Sequence, residues 1–136
     1  MLVVDASAVT ELLLGRPAAE PVASAIREHD FDLHAPHLVD VEILSALRRV
    51  VAAGDASPAR AGEAVDDLID LPLQRYAHEA LVPRIWALRE NFSAYDAAYL
   101  ALAEVLVEDG APLLTTDTRL ARAASEHIGV EIVLAT

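Results

Sequence analysis

Four acidic residues stand where solvated charge is not expected. Asp5 follows the apolar run Leu2-Val3-Val4, and Asp117 follows Leu113-Leu114-Thr115-Thr116. Both runs read as short buried strands, so each aspartate lies at the carboxyl end of a strand. Each also precedes a helical stretch, where Asp is a favoured N-cap, and capping is its ordinary role there. Glu42 and Asp96 lie inside apolar helical stretches instead. Glu42 has Leu38 and Ala46 at four-residue spacing and Val39 at three, on or beside the stripe that should face the core. Asp96 has Phe92 and Leu100 at four-residue spacing and Tyr99 at three. The segment Ser93-Ala94-Tyr95-Asp96 matches a capping box, which gives Asp96 a structural role. Glu42 has no such role, and an ionised carboxylate on an apolar helix face costs on the order of several kcal/mol unless it is paired or binds metal.

If the four acids face one crevice, mutual repulsion raises their pKa values unless a cation neutralises them. No arginine neighbours Asp5, Glu42 or Asp96 in sequence, and the chain has no lysine. Hard oxygen ligands select Mg²⁺ or Mn²⁺. A carboxylate site on such a metal suits phosphodiester hydrolysis, in which the ion activates water and stabilises the leaving oxygen. The other acids, such as Glu20, Asp66 and Glu126, fall on polar helix faces or in loops.

Composition narrows the remaining chemistry. With 136 residues, 54% hydrophobic and 24% charged, the chain has the mix of one compact domain spanning 1–136. The absence of cysteine removes disulfides, thiolate nucleophiles and Cys-ligated metal. All ten basic residues are arginines, which removes Schiff bases and P-loop phosphate binding through Lys. The net charge of −12 taken alone disfavours nucleic acid and anionic membrane as partners. No apolar run approaches the roughly 18 residues of a membrane span, and the N-terminus lacks the basic leader of a signal peptide. A cytoplasmic location is expected.

Short β-rich runs alternate with longer helical ones throughout, which predicts an α/β fold with a mostly parallel sheet. A helix is expected over 7–14, with Ser7 as cap and Gly15 as stop, and a second from Pro17 or Pro21 to His29. A strand over 31–34 is closed by Pro36. The helix from Leu38 to Ala53 carries Leu38, Val41, Leu44, Leu47 and Val51 as its apolar stripe. Ser57-Pro58 opens a helix to Asp70, followed by a weak strand within 71–76. Helices are expected over 79–90, with Pro83 in its first turns, and over 94–108. The strand at 113–116, a helix over 118–127 stopped by Gly129, and a strand over 130–134 complete the chain.

Taken together, Val3-Val4-Asp5-Ala6-Ser7, a Glu near position 40, Tyr95-Asp96-Ala97-Ala98-Tyr99-Leu100-Ala101-Leu102-Ala103 and Leu114-Thr115-Thr116-Asp117-Thr118-Arg119-Leu120 resemble PIN-domain ribonucleases, specifically VapC-type toxins. The likeness spans essentially the whole chain, and its four motifs are individually weak but strong as a set. It implies an α/β/α sandwich and Mg²⁺- or Mn²⁺-dependent endonucleolytic cleavage of RNA. It also implies neutralisation by a cognate VapB antitoxin. Asp5, Glu42, Asp96 and Asp117 carry over onto the acidic metal-binding positions, Asp5 and Asp96 most directly, Glu42 and Asp117 directly or through water. Ser7 and Thr115 match small hydroxyl positions that would hydrogen-bond the carboxylates or a metal-bound water, and Arg119 matches a position suited to phosphate.

Rival readings are weaker. A haloacid-dehalogenase-type phosphatase needs an acid two residues after Asp5, where Ser7 stands, and a lysine. A Rossmann nucleotide binder needs a glycine-rich turn there. The rival from another class is a catalytically silent PIN-like module that binds protein and uses its acids structurally. His34 and His37 read as strand-end residues rather than zinc ligands, and Trp86 and the other aromatics as core or interface. Arg48-Arg49 suits a helix C-terminus, with phosphate contact as the functional alternative. Leu12, Leu13, Leu14, Val22 and Ile26 on the first two helices offer a surface for a homodimer or for antitoxin docking.

Overall fold

The computed structural model describes all 136 residues. Five strands, β1 (Leu2–Val4), β2 (Leu33–Pro36), β3 (Leu73–Tyr76), β4 (Leu113–Thr115) and β5 (Ile132–Leu134), alternate with seven helices. The helices are α1 (Ala6–Leu14), α2 (Ala19–Glu28), α3 (Leu38–Ala52), α4 (Pro58–Asp70), α5 (Val82–Ala87), α6 (Ala94–Leu106) and α7 (Thr118–His127). Every strand pairing is parallel, in the order β3-β2-β1-β4-β5. The sheet is therefore wholly parallel, and its helical layers complete the α/β/α sandwich.

The strand order reverses at β1. From β1 the chain steps outward to β2 and β3, then returns to lay β4 on the other side of β1. At such a switch point the loops leaving two adjacent strands diverge and open a crevice at their carboxyl ends. The residues at those ends here are Asp5 and the segment Thr115-Thr116-Asp117.

Leu2, Val3 and Val4 are fully buried, as a central parallel strand covered on both faces requires. Helix α6 is buried without a break from Ala97 to Ala103. Its small residues let it pack closely against β1 and β2, and an all-round apolar helix belongs in such a place. Ser93 caps α6 by accepting from the Asp96 N–H at 3.2 Å, and Ser57 caps α4 by accepting from Arg60 N–H at 3.1 Å. Both ring nitrogens of buried His34 are engaged, by Tyr76 Oη and Asp32 Oδ1 at 2.7 Å each, which fixes it as a structural residue of β2.

Several expectations change. The cap of α1 is Asp5, not Ser7, because the Asp5 carboxylate accepts from Ala8 N–H at 2.9 Å. The buried line of α3 is Val39, Ile43 and Leu47, whereas Val41 and Leu44 face outward at 67% and 45% exposure. Its stripe follows the four-residue ridge that meets α1 and α4. The stretch 79–90 is a single 3₁₀ turn, Glu79–Leu81, and then the six-residue α5 with Pro83 at its second position. A proline lacks the N–H that a longer helix would need there. Strand β2 starts at Leu33 rather than Phe31, since Asp30 and Phe31 both turn through left-handed backbone at φ 56° and 57°. Val22, Ile26 and Leu13 are buried in this chain's own core, so the first helices do not present them to a partner.

An aromatic residue is costly in left-handed backbone, about 1–2 kcal/mol, and Phe31 is 57% exposed, so it recovers little by packing. Phe31→Gly is expected to stabilise the fold by about 1 kcal/mol and raise the thermal midpoint by about 4 °C. Thermal unfolding followed by circular dichroism checks this, and a lowered midpoint contradicts it.

Candidate active site

Four elements deliver the four acids to one cleft of about 380 Å³: Asp5 from the end of β1, Glu42 from α3, Asp96 from the first turn of α6, and Asp117 from the loop after β4. The cleft lies at the carboxyl edge of the sheet, where the strand order reverses.

Asp5 is its anchor. The carboxylate is 6% exposed and is held by three donors. Oδ1 accepts from Ser7 Oγ at 2.6 Å and from Ala8 N–H, and Oδ2 accepts from Thr115 Oγ1. Ser7 Oγ in turn accepts from Thr116 N–H at 3.1 Å, and Thr115 Oγ1 accepts from Asp117 N–H at 3.0 Å. This lattice ties the end of β1 to the end of β4. Ser7 and Thr115 thus both donate to the Asp5 carboxylate. Burial nevertheless pushes the Asp5 carboxyl above its usual range, with these hydrogen bonds opposing and the Asp96 charge adding to the rise.

Glu42 and Asp96 are shifted upward in the same way. For Glu42, burial dominates, the hydrogen bond from Tyr99 Oη to Oε1 at 2.6 Å opposes it, and Asp5 and Asp96 add repulsion. For Asp96, burial again dominates, opposed by Arg119 and reinforced by Asp117. The Tyr99 phenol, buried against Glu42, is held protonated far above its ordinary range. Asp117 caps α7, accepting from Arg119 N–H at 2.9 Å and Leu120 N–H at 3.2 Å, so its structural role is fulfilled alongside its place in the cleft.

Arg119, expected at a phosphate position, is engaged by two of the acids. Its guanidinium lies 3.3 Å from Asp117 Oδ2 and 3.7 Å from Asp96 Oδ2, with its own side chain 79% exposed. It bridges two of the acids at the rim. Sequence reading also missed Tyr99 as the donor to Glu42, although Tyr99 lies one turn after Asp96 and on its face. Thr10 was missed as well: its buried hydroxyl lines the cleft and has no hydrogen-bond partner. Of the Arg48-Arg49 pair, Arg49 reaches the cleft; seven residues after Glu42, it shares that face of α3.

The donor set suits a hard divalent cation, being all carboxylate oxygen. Asp5 Oδ2 has only one donor and keeps acceptor capacity. No three of the acids are gathered closely enough to hold an ion as they stand. Glu42 and Asp96 enter from partly exposed helix positions and can close by side-chain rotation.

The four acids thus share a cleft at the switch point of a wholly parallel sheet, and comparison with known proteins places that fold. The PIN domain family model matches residues 2–126. The chain is 40% identical over 133 residues to the VapC ribonuclease Mb0985 of Mycobacterium bovis, covering 98% of each. It is likewise 40% identical over 132 residues to Ribonuclease VapC1 of Mycobacterium tuberculosis, covering 96% of each. Among solved structures, PAE2754 from Pyrobaculum aerophilum superposes with a TM-score of 0.69 at 25% identity, over 97% of this chain and 83% of that one. The chain belongs to the PIN-domain family, within its VapC branch.

The raised carboxyl pKa values set a pH signature. An acid whose pKa is higher folded than unfolded binds more protons in the native state, so its contribution to stability falls as pH rises from the unfolded value through the folded one. In EDTA, Asp96→Asn is therefore expected to gain thermal stability relative to the parent protein as pH climbs from about 4 to 7. A melting difference that is flat or shrinks over that range contradicts the placement of Asp96.

Proposed function

We propose that the chain is the toxin of a VapBC-type toxin–antitoxin pair, an endoribonuclease that hydrolyses RNA phosphodiesters with Mg²⁺, for which Mn²⁺ can substitute. The observation that carries this is the convergence of Asp5, Glu42, Asp96 and Asp117, from four separate elements, on one cleft at the sheet's switch point. The relatives named as VapC ribonucleases support it across nearly the full chain.

Asp5 and Asp96 are the direct ligands in this reading, with Glu42 and Asp117 completing the cage or positioning water. The bound ion supplies a lowered water pKa and charge stabilisation for the leaving oxygen. The chain's own part is preorganisation. Ser7, Ala8 N–H and Thr115 fix the Asp5 carboxylate, and Tyr99 aims Glu42. Arg119, exposed beside Asp96 and Asp117, can exchange those partners for a substrate phosphate. A purely structural use of the acids, as in a silent protein-binding module, accounts poorly for Glu42: it is half-buried beside two like charges, with no ion-pair partner and with Tyr99 as its one hydrogen-bond donor.

The same reading brings a cognate VapB-type antitoxin, for which an acidic cleft suits an arginine-bearing segment, and a cytoplasmic setting. A homodimer belongs to it too, on surfaces other than the buried residues of α1 and α2. No helix is long and apolar enough to cross a membrane.

Purified protein with Mg²⁺ or Mn²⁺ is expected to cleave a responsive cellular RNA, and EDTA to stop it. Asp5→Asn and Asp96→Asn should each lower the rate about a hundredfold or more, since each removes charge that holds the ion. Expression without an antitoxin should arrest growth, and the Asp96→Asn form should not. Full cleavage by either variant sinks the mechanism; equal growth in both cultures sinks the toxin role.

A further inference from the structure

Beside the acidic cleft lies a second, shallower hollow of about 320 Å³, lined by Val41, Glu42, Ser45, Arg49 and Tyr95. It shares Glu42 and Arg49 with the cleft, so the two form one continuous surface. Its floor is apolar and open: Val41 is 67% exposed and Tyr95 64%. Val41, Ser45 and Arg49 recur every four residues along α3, one above the other on a single ridge. Tyr95 faces them from the first turn of α6, immediately before Asp96.

In a chain with 4% aromatic residues and a charge of −12, an exposed tyrosine and an arginine free of any ion pair beside the acids call for an explanation. Arg49 makes no salt bridge and no side-chain hydrogen bond, although 22 acidic residues surround ten arginines in this sequence. It lines both the hollow and the acidic cleft, as Glu42 does.

Resting on the ribonuclease reading, we infer that this hollow is a nucleotide subsite for single-stranded RNA: Tyr95 stacks the base next to the scissile position and Arg49 holds the phosphate that joins them. Single-stranded RNA is recognised by stacking splayed bases on aromatic faces, and every base presents such a face. Val41 supplies the apolar edge, and the Ser45 hydroxyl is placed to meet a sugar 2′-OH or a base edge. Arg49 provides the one positive group between the two hollows, where an acidic protein most needs it. An RNA strand fits better than a protein segment because the surface combines a flat aromatic, an unpaired guanidinium and direct continuity with the hydrolytic acids. Tyr95 and Arg49 are binding and positioning residues that seat the strand without selecting a particular base.

The test is fluorescence anisotropy with a labelled single-stranded 12-nucleotide RNA of randomised sequence, in Ca²⁺ to slow turnover, using the full chain. Tyr95→Ala is expected to weaken binding about tenfold, and Tyr95→Phe or Tyr95→Trp to stay close to the parent protein. Arg49→Ala should weaken binding and flatten the slope of log affinity against log salt by about 0.7. In Mg²⁺ the Tyr95→Ala loss should fall mainly on KM, while Trp86→Ala, exposed on α5, should change neither constant. Circular dichroism confirms that the surface variants fold. If the parent protein binds and cleaves RNA and Tyr95→Ala does so equally well, the subsite is wrong and the nuclease stands. If the parent protein neither binds nor cleaves RNA, both fall. If Tyr95→Ala alters only self-association by light scattering, the hollow is a protein interface and the inference is overturned.

Discussion

A carboxylate buried at the junction of two parallel strands sets the terms for everything else in this molecule. Removing an ionised Asp5 from water costs on the order of several kcal/mol, even after relaxation. Three donors oppose that cost, each hydrogen bond to a charged acceptor being worth about 1.5–3 kcal/mol. They come from both sides of the switch point: Ser7 and Ala8 follow β1, and Thr115 ends β4. Placing Asp5 therefore aligns β4 against β1 and starts α1 and α7 from fixed positions. The adjacent strands are fully buried and cannot adjust cheaply.

Around that anchor the electrostatics stay unfavourable by construction. Asp96 and Asp117 repel each other, Asp5 and Glu42 add to the same field, and burial of three of these groups works in the same direction. Arg119 relieves it at the rim and Tyr99 relieves it for one oxygen of Glu42. Neither contact neutralises the centre. Stability given up in this way is an ordinary mark of a functional site, and in the proposed reading a divalent cation is the partner that would restore it. The net charge of −12 accordingly bears on how RNA would be held rather than whether, through a few placed arginines and a metal instead of a general positive surface.

Much of this was legible in the residues because the signals were local. The strand that stops at Asp5, the capping box at Ser93 and the buried run Ala97 to Ala103 are short-range patterns, and the sheet is parallel for the reason the alternation implied. The four acids could be singled out because their surroundings in sequence were apolar. What was not legible depends on tertiary packing. The buried ridge of α3 shifted to Val39, Ile43 and Leu47 because α1 and α4 decide which face is covered. Asp5 rather than Ser7 is the cap because α1 begins at Ala6, which puts the serine inside the first turn, where it bonds Asp5 and Thr116. The placement of Arg119 against Asp96 links two elements more than twenty residues apart, and no spacing rule reaches that far.

The central claim is that the four carboxylates together form a divalent-cation site. Anomalous scattering from crystals soaked in Mn²⁺ tests it most directly. The account predicts a manganese peak within the cleft, within bonding distance of Asp5 and Asp96 oxygens and lost in the Asp96→Asn protein. A cleft without manganese at millimolar concentration, or an ion bound only elsewhere, contradicts it.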